Sequence, residues 1–299
     1  MIYTSKNLTP LWEENIAKHC EQNSMFVNVN CISSLPDVKH NIEEYLLENP
    51  FNSYIQNDPY VIPSEKDREG YCVNNDSYYW HLGLSDFLKI QYIAKKYNVN
   101  IDRYFDFGCA SGRVLRHFLC QSNTSEIWGS DINSNHINWI NQFLPKIKAI
   151  FNHTIPSLPL EDNYFDVVSA FSVFTHIDTF EIAWLSELRR ILKPNGIAYI
   201  TYHDEANWEI LKSEKSNNNR VFRTLKNCNP NIEELLEKDI PSGRTVFRHS
   251  DGPYRSLTYH SIDYIKNVWG RFFTIVEIIP KFHARQSVII LKKHEQPTT

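Results

Sequence analysis

The chain is poor in glycine, with nine in 299 residues, and has no excess of positive charge: 31 Lys and Arg stand against 35 Asp and Glu. It also lacks internal repeats, a basic-then-apolar N-terminal leader, and any run approaching the roughly 18 apolar residues of a membrane helix. Each absence removes a class of function. No integral membrane segment is expected, and a cytoplasmic location follows by default. Nucleic acid is disfavoured as a partner, because phosphate backbones reward clustered Lys and Arg. The six cysteines form no C-x-x-C pair and have no histidine at zinc-ligand spacing, so they read as free thiols in a reducing compartment. No compact Asp/Glu/His cluster follows the later strands, and no metal is expected. What is present, 42% hydrophobic and 22% charged residues, describes a globular protein with core enough for a large domain.

Residues 1–65 read as an N-terminal helical extension, for which a lid, a homodimer contact and a fragment of a neighbouring module all remain open. The polar stretch "IPSEKDREG" marks a boundary, and residues 66–299 form the main domain. "SDFLKIQYIAKKYNV" reads as a helix capped by Ser85. From Ile101 the pattern alternates, with strands expected at 103–108, 126–131, 147–152, 165–171 and 197–202 and helical patterns between most of them. This predicts an α/β fold, a mostly parallel sheet with helices on both faces. Before the fifth strand, Asp178 and Glu181 have capping-box spacing, Leu185, Leu188 and Leu192 line one face, and "KPNG" is expected to end the helix. Residues 204–256 break the rhythm and read as an insertion. A helix near 261–268 and two β-rich runs close the chain, and the short link between the runs requires an antiparallel pair.

Two of the scarce glycines fall in "YFDFGCASGRVLRHF". Its D-x-G-x-A-x-G spacing, Asp106, Gly108, Ala110 and Gly112, admits a plain turn, a phosphate cradle or a nucleoside pocket. Small residues at alternate positions allow a sharp turn and close approach of main-chain N–H groups to a ligand. The spacing is not that of a dinucleotide fingerprint, and Asp106 suits a positively charged group such as an ammonium. Asp131 ends the next strand, where a carboxylate can accept both hydroxyls of a ribose.

From about Tyr71 to Lys293 the chain resembles the class I S-adenosylmethionine-dependent methyltransferases, on the strength of "FDFGCASGR", "WGSDIN", "SLPLEDNYFDVVSAFSVFTHI", "WLSELRRILKPNGIAYITYH" and "FHARQSVIILKK". The resemblance implies a Rossmann-like seven-stranded sheet with an antiparallel C-terminal strand, and S-adenosylmethionine as cofactor. It places Asp106 and Gly108 at the methionine end, Asp131 at the ribose and Leu158 beside the adenine, and it counts Cys109, Ala110, Gly112, Arg113, Ile132, Phe171 and Ser172 among the cofactor-binding residues. Thr154 stands where the family often has an acid for the adenine amino group.

Methylating a hydroxyl calls for a general base. His176 and His203 both follow strands at the edge where α/β sheets place ligands, with His260 and His283 as further candidates; His203 followed by Asp204 resembles a base beside an orienting carboxylate, although adjacent side chains rarely face each other. Tyr78, Tyr79 and Trp80 are candidates for closing over the cofactor or for core. Trp208, Phe222, Phe247, Tyr254 and Tyr259 in the insertion suit stacking on a sugar. "SVFTH", "WLSELRRILKP" and "HARQSVIILKK" are also similar to sugar and glycan O-methyltransferases of bacterial polysaccharide or secondary-metabolite assembly. The expected acceptor is therefore a small molecule or glycan. Methylation of another metabolite and non-catalytic cofactor binding stand as alternatives.

Overall fold

The computed structural model describes residues 51–68, 72, 75–216, 220–249, 256–283 and 285–293. Most of the N-terminal extension therefore lies outside the described residues, as does Tyr254. Two compact units divide the chain, Met1–Asn152 and His153–Thr299.

In the first unit a short helix α1 (Phe51–Gln56) precedes a long helix α2 (Asp76–Lys96). Then follow β1 (Arg103–Phe107), α3 (Leu115–Gln121), β2 (Glu126–Asp131), α4 (Ser134–Phe143) and β3 (Lys148–Phe151), with the three strands parallel. Tyr104, Phe105, Asp106 and Phe107 are all buried, as in a strand covered on both faces. Helix α2 begins nine residues before Ser85. Its cap is Asn75, whose side chain accepts the Tyr78 N–H at 2.9 Å, while Ser85 lies buried in mid-helix. The apolar stripe Tyr79, Trp80, Leu84, Phe87, Leu88 carries the helix through that position.

The second unit holds β4 (Phe165–Ala170), α5 (Glu181–Ile191) and β5 (Leu192–Tyr202), followed by the inserted α6 (Glu205–Ser213), α7 (Arg220–Cys228), α8 (Ile232–Leu236), β6 (Arg244–Arg248) and β7 (Ser256–His260). Helix α9 (Ile262–Val268), β8 (Thr274–His283) and β9 (Gln286–Lys292) close it. The helix ends just before "KPNG", as expected, and the four residues lie within the strand that follows. Helix α5 passes straight into β5, and the register between β4 and β5 shifts from Phe165↔Leu192 to Val167↔Ile197, so the four residues form a bulge with Asn195 at φ 65°. Pro194, which lacks an N–H and disfavours helix at Lys193, explains why the helix stops there.

The sheet has seven strands in the order β3-β2-β1-β4-β5-β9-β8, and β9 runs antiparallel to both of its neighbours. This is the Rossmann-like, seven-stranded and mostly parallel sheet with an antiparallel C-terminal strand expected from the sequence. Strands β6 and β7 form a separate antiparallel pair. No described helix is long and apolar enough to cross a membrane.

Candidate functional site

In the first unit the turn after β1 takes a left-handed conformation at every second residue: Gly108 at φ 76°, Ala110 at 46° and Gly112 at 77°. Glycine adopts this freely, and Ala110 needs support. It receives it from Asp131, whose Oδ2 accepts the Ala110 N–H at 2.8 Å while Oδ1 accepts that of Asn133 at 2.8 Å. The Gly108 and Cys109 N–H groups both reach the Ser130 carbonyl, at 2.8 and 2.9 Å. The end of β2 thus shapes the turn after β1, and the two acids named from the sequence belong to one loop system. Asp106 is 2% exposed and pairs in register with Gly129.

Cys109 contributes backbone here. Its thiol is buried over Gly129, where an added Cβ would sit 2.8 Å from the sulfur, and burial raises its pKa well above the ordinary thiol value. Arg113 is held by Asp86 of α2 at 2.7 Å. Ile132, beside Asp131, is an exposed apolar side chain. Gly83 was not among the residues expected at the site: a Cβ there would lie 2.2 Å from the Arg113 carbonyl, so only glycine lets α2 approach the turn. A glycine inside an apolar helical stripe was the available signal. Of the aromatic triplet, Tyr78 is exposed, and Trp80 is buried with its indole N–H on Asp58 at 2.6 Å.

In the second unit, the segment before β4 is stitched to α5. Leu158 is buried and its N–H donates to Glu187 at 2.6 Å, while Arg190 reaches the carbonyls of Leu158 at 3.0 Å and Leu160 at 2.7 Å. Trp184 donates to the carbonyl of Thr154 at 3.3 Å. After β4, Phe171 packs near His283 at 5.1 Å between ring centres, and Ser172, at φ 56°, donates its N–H to Thr201 at 2.7 Å.

Strand β7 joins the two loops that carry the histidines. The Thr258 N–H donates to the Thr175 carbonyl at 2.8 Å, and the His260 N–H to the His203 carbonyl at 2.9 Å. Carbonyls of the same strand meet both imidazoles: His176 Nδ1 lies 2.8 Å from that of Ser256, and His203 Nδ1 3.2 Å from that of Thr258. A carbonyl only accepts, so each Nδ1 carries the proton and each Nε2 the lone pair. Burial lowers both pKa values, that of His203 to about 3, and both rings are neutral at pH 7.

Asp204 does not orient His203. It caps α6, accepting the Ala206 N–H at 2.9 Å while the Asn207 side chain answers the Asp204 N–H at 3.0 Å. Nor does Asp178 cap α5, whose N-cap is Phe180 in the left-handed region; Asp178 accepts from Arg248 at 2.8 Å and Ser256 at 3.1 Å, fastening the β6–β7 hairpin. Glu181, 3% exposed, accepts from Trp269 at 2.6 Å, His260 Nε2 at 3.2 Å and Arg244. His260 is fully buried in that network, which removes it as a base candidate. The insertion's aromatics are also reassigned. Trp208, Phe222, Phe247 and Tyr259 form its own core with Leu211, Leu225, Ile232 and Leu236. A segment this long must bury apolar surface of its own to offset ordering entropy.

Residues 105–200 match the family model described as "Methyltransferase domain". An uncharacterized methyltransferase of Schizosaccharomyces pombe is 28% identical over an alignment of 111 residues that covers 34% of this chain; the chain spans only 40% of that relative's length. Among solved structures, the PH0226 protein of Pyrococcus horikoshii is 18% identical with a TM-score of 0.49, over 75% of this chain and 94% of that one. An S-adenosylmethionine-dependent methyltransferase of Clostridium acetobutylicum is 13% identical with a TM-score of 0.49, over 73% of this chain and 92% of that one.

Proposed function

We propose that the protein transfers a methyl group from S-adenosylmethionine to a hydroxyl of a small molecule or glycan, a reading supported by the match of residues 105–200 to a methyltransferase-domain family model. A sugar hydroxyl is the first acceptor class to assay. The first unit fits the cofactor. A carboxylate offers about four acceptor directions, and the described residues use two on Asp131 for the Ala110 and Asn133 N–H groups, leaving capacity for a ribose diol. The alternating left-handed turn clears Cβ atoms from the approach, and buried Asp106 answers an ammonium. Ile132 offers an apolar face to the adenine side. When bound, the cofactor supplies an electrophilic methyl group on a sulfonium.

The observation that carries the choice of a hydroxyl is the pair of neutral imidazoles held in the same tautomer by the Ser256 and Thr258 carbonyls. An alcohol must lose its proton as it reacts, and a neutral Nε2 can accept it; an amine already offers a lone pair and needs no such base. A pKa near 3 makes His203 a weak proton acceptor at neutral pH. His176 is therefore assigned the base, and His203 a positioning role. Support for a sugar no longer includes the insertion's aromatics, and rests on the need for a hydroxyl base and on the resemblance of the sequence segments.

Turnover of labelled S-adenosylmethionine with nucleotide sugars, polysaccharide and small hydroxylated metabolites tests the reading. His176→Ala should lower kcat about 10²- to 10⁴-fold with affinity for S-adenosylhomocysteine unchanged, and His203→Ala should cost less. Full activity in His176→Ala would remove the base. Cofactor binding without methylation of any acceptor class would favour a non-catalytic cofactor-binding protein.

A further inference from the structure

We propose that the pocket between α7 and the end of β6 holds a phosphoryl group of the acceptor, an inference that rests on the methyl-transfer reading above and makes the acceptor a phosphorylated or nucleotide-linked sugar. Thr224, Asn227 and Cys228 of α7, with Arg248 and His249 at the end of β6, line a cavity of about 340 Å³, toward the lower end of the range for small-molecule sites. Every lining side chain carries a polar atom, and none is a carboxylate. Neither α7 nor β6 contains an Asp or Glu, in a chain whose 35 acids outnumber its 31 Lys and Arg. Arg223 stands four residues before Asn227, on the same face of α7, and adds a positive charge. The apolar residues of the same two elements, Phe222, Leu225 and Phe247, are spent on the insertion's core. What remains at the cavity is a set of donors with no acid lining it.

The pocket adjoins the assigned base. Arg248 pairs in register with Ser256, whose carbonyl faces His176 Nδ1 at 2.8 Å. His249 is close enough to His176 for its charge to add to burial in lowering that pKa. Arg248 is anchored and still accessible: Nε and Nη2 donate to Asp178 Oδ2 at 3.1 and 2.8 Å, Nη1 has no partner among the described residues, and the side chain is 56% exposed. A guanidinium already held in place loses little freedom on meeting an anion. Donors on Arg248, His249, Thr224 and Asn227 suit the three oxygens of a phosphoryl group, whereas the two oxygens of a carboxylate would be served by the guanidinium alone. A phosphoryl group held here fixes one end of the acceptor next to His176, and binding remote from the reacting atoms is what positions a hydroxyl for transfer.

Calorimetry with inorganic pyrophosphate tests the pocket, and with S-adenosylhomocysteine the cofactor reading. Pyrophosphate should bind the wild-type protein, and Arg248→Gln and His249→Gln should each weaken it about 10-fold, with S-adenosylhomocysteine affinity unchanged. Asp178→Asn cuts the same ion pair but leaves the guanidinium, so pyrophosphate affinity should hold or rise; a loss equal to that in Arg248→Gln would make Arg248 merely structural and overturn the site. Circular dichroism verifies folding, and His249→Gln, at an exposed imidazole outside the ion pair, keeps the test open if Arg248→Gln does not fold. The His176 imidazole signals in NMR spectra should move as pyrophosphate saturates; unmoved signals would separate the pocket from the base. Uridine diphosphate glucose, glucose 1-phosphate and glucuronate are then compared, the tighter of the two phosphates naming the source of the phosphoryl group, and tighter binding of glucuronate overturning the choice of phosphate. Wild-type protein that binds no pyrophosphate, or unaltered affinity in both folded variants, overturns the pocket and leaves the cofactor reading standing. Pyrophosphate binding without S-adenosylhomocysteine binding overturns the cofactor reading, and with it the role of the pocket in holding an acceptor.

Discussion

The acids of the first unit and the imidazoles of the second are fixed in opposite ways. Asp106 and Asp131 owe their positions to the ends of paired strands, and Asp131 supports the very turn that follows β1. His176 and His203 owe their tautomers to a strand 80 and 55 residues further along the chain, at the far end of an insertion with its own core. A ligand loop can thus be built from local geometry, whereas a proton acceptor needs a distant acceptor to fix which nitrogen carries the lone pair.

The sharpest way to break this comparison is to cut the fastening of the inserted hairpin. Glu181→Ala would leave the buried His260 and the half-buried Arg244 without their carboxylate, and should cost about 3–5 kcal/mol in urea unfolding. A normal unfolding midpoint would mean that the hairpin is held elsewhere. The acid limb of stability should change with it. Burial alone would raise the Glu181 pKa, but hydrogen bonds and charge from His260 and Arg244 outweigh it and hold it below the ordinary 4.5. Its contribution is present above that value and is lost as pH falls through the folded-state pKa. His203 acts in the same direction: with its pKa depressed from 6.5 to about 3, its share is full above 6.5 and drains away toward 3. Stability should therefore rise with pH over this range, and Glu181→Gln should flatten the lower part of the curve.

The converse experiment removes Asp131. Asp131→Ala should weaken S-adenosylhomocysteine about 100-fold, roughly 2.7 kcal/mol, measured by calorimetry. Hydrogen exchange at the Thr258 and His260 amides should stay as in wild type; faster exchange there would show that the two devices are not separate. The smallest effect is expected at Asp204, where replacement by Ala removes an N-cap worth about 1 kcal/mol. A loss in kcat larger than that in His203→Ala would restore Asp204 as the partner of the imidazole.

Much of the fold was legible because its signals are local. Strands β1 to β4 fall within a residue or two of the apolar runs that announced them, and the short link before Gln286 required the antiparallel pair that β8 and β9 form. The errors share a cause. Ser85, Asp178 and Asp204 each carry the right chemistry for a cap or an orienting acid. Burial of the Tyr79 to Leu84 stripe claimed the first, and the Arg248 and Ser256 side chains claimed the second. Asp204 caps the helix that follows it instead of orienting the residue before it. The insertion's aromatics looked like an acceptor platform because composition does not say which face a ring presents.

By itself the sequence determined the alternation of strands and helices, the small-residue turn with its two acids, and the candidate histidines, since strand-end spacing and backbone freedom are properties of neighbouring residues. Tertiary structure alone decided which imidazole nitrogen holds a lone pair, which aromatic rings are interior, and that α7 and the end of β6 line one polar pocket. Hydrogen-bond partners and burial depend on segments far apart in the chain, and no local pattern records which of them meet.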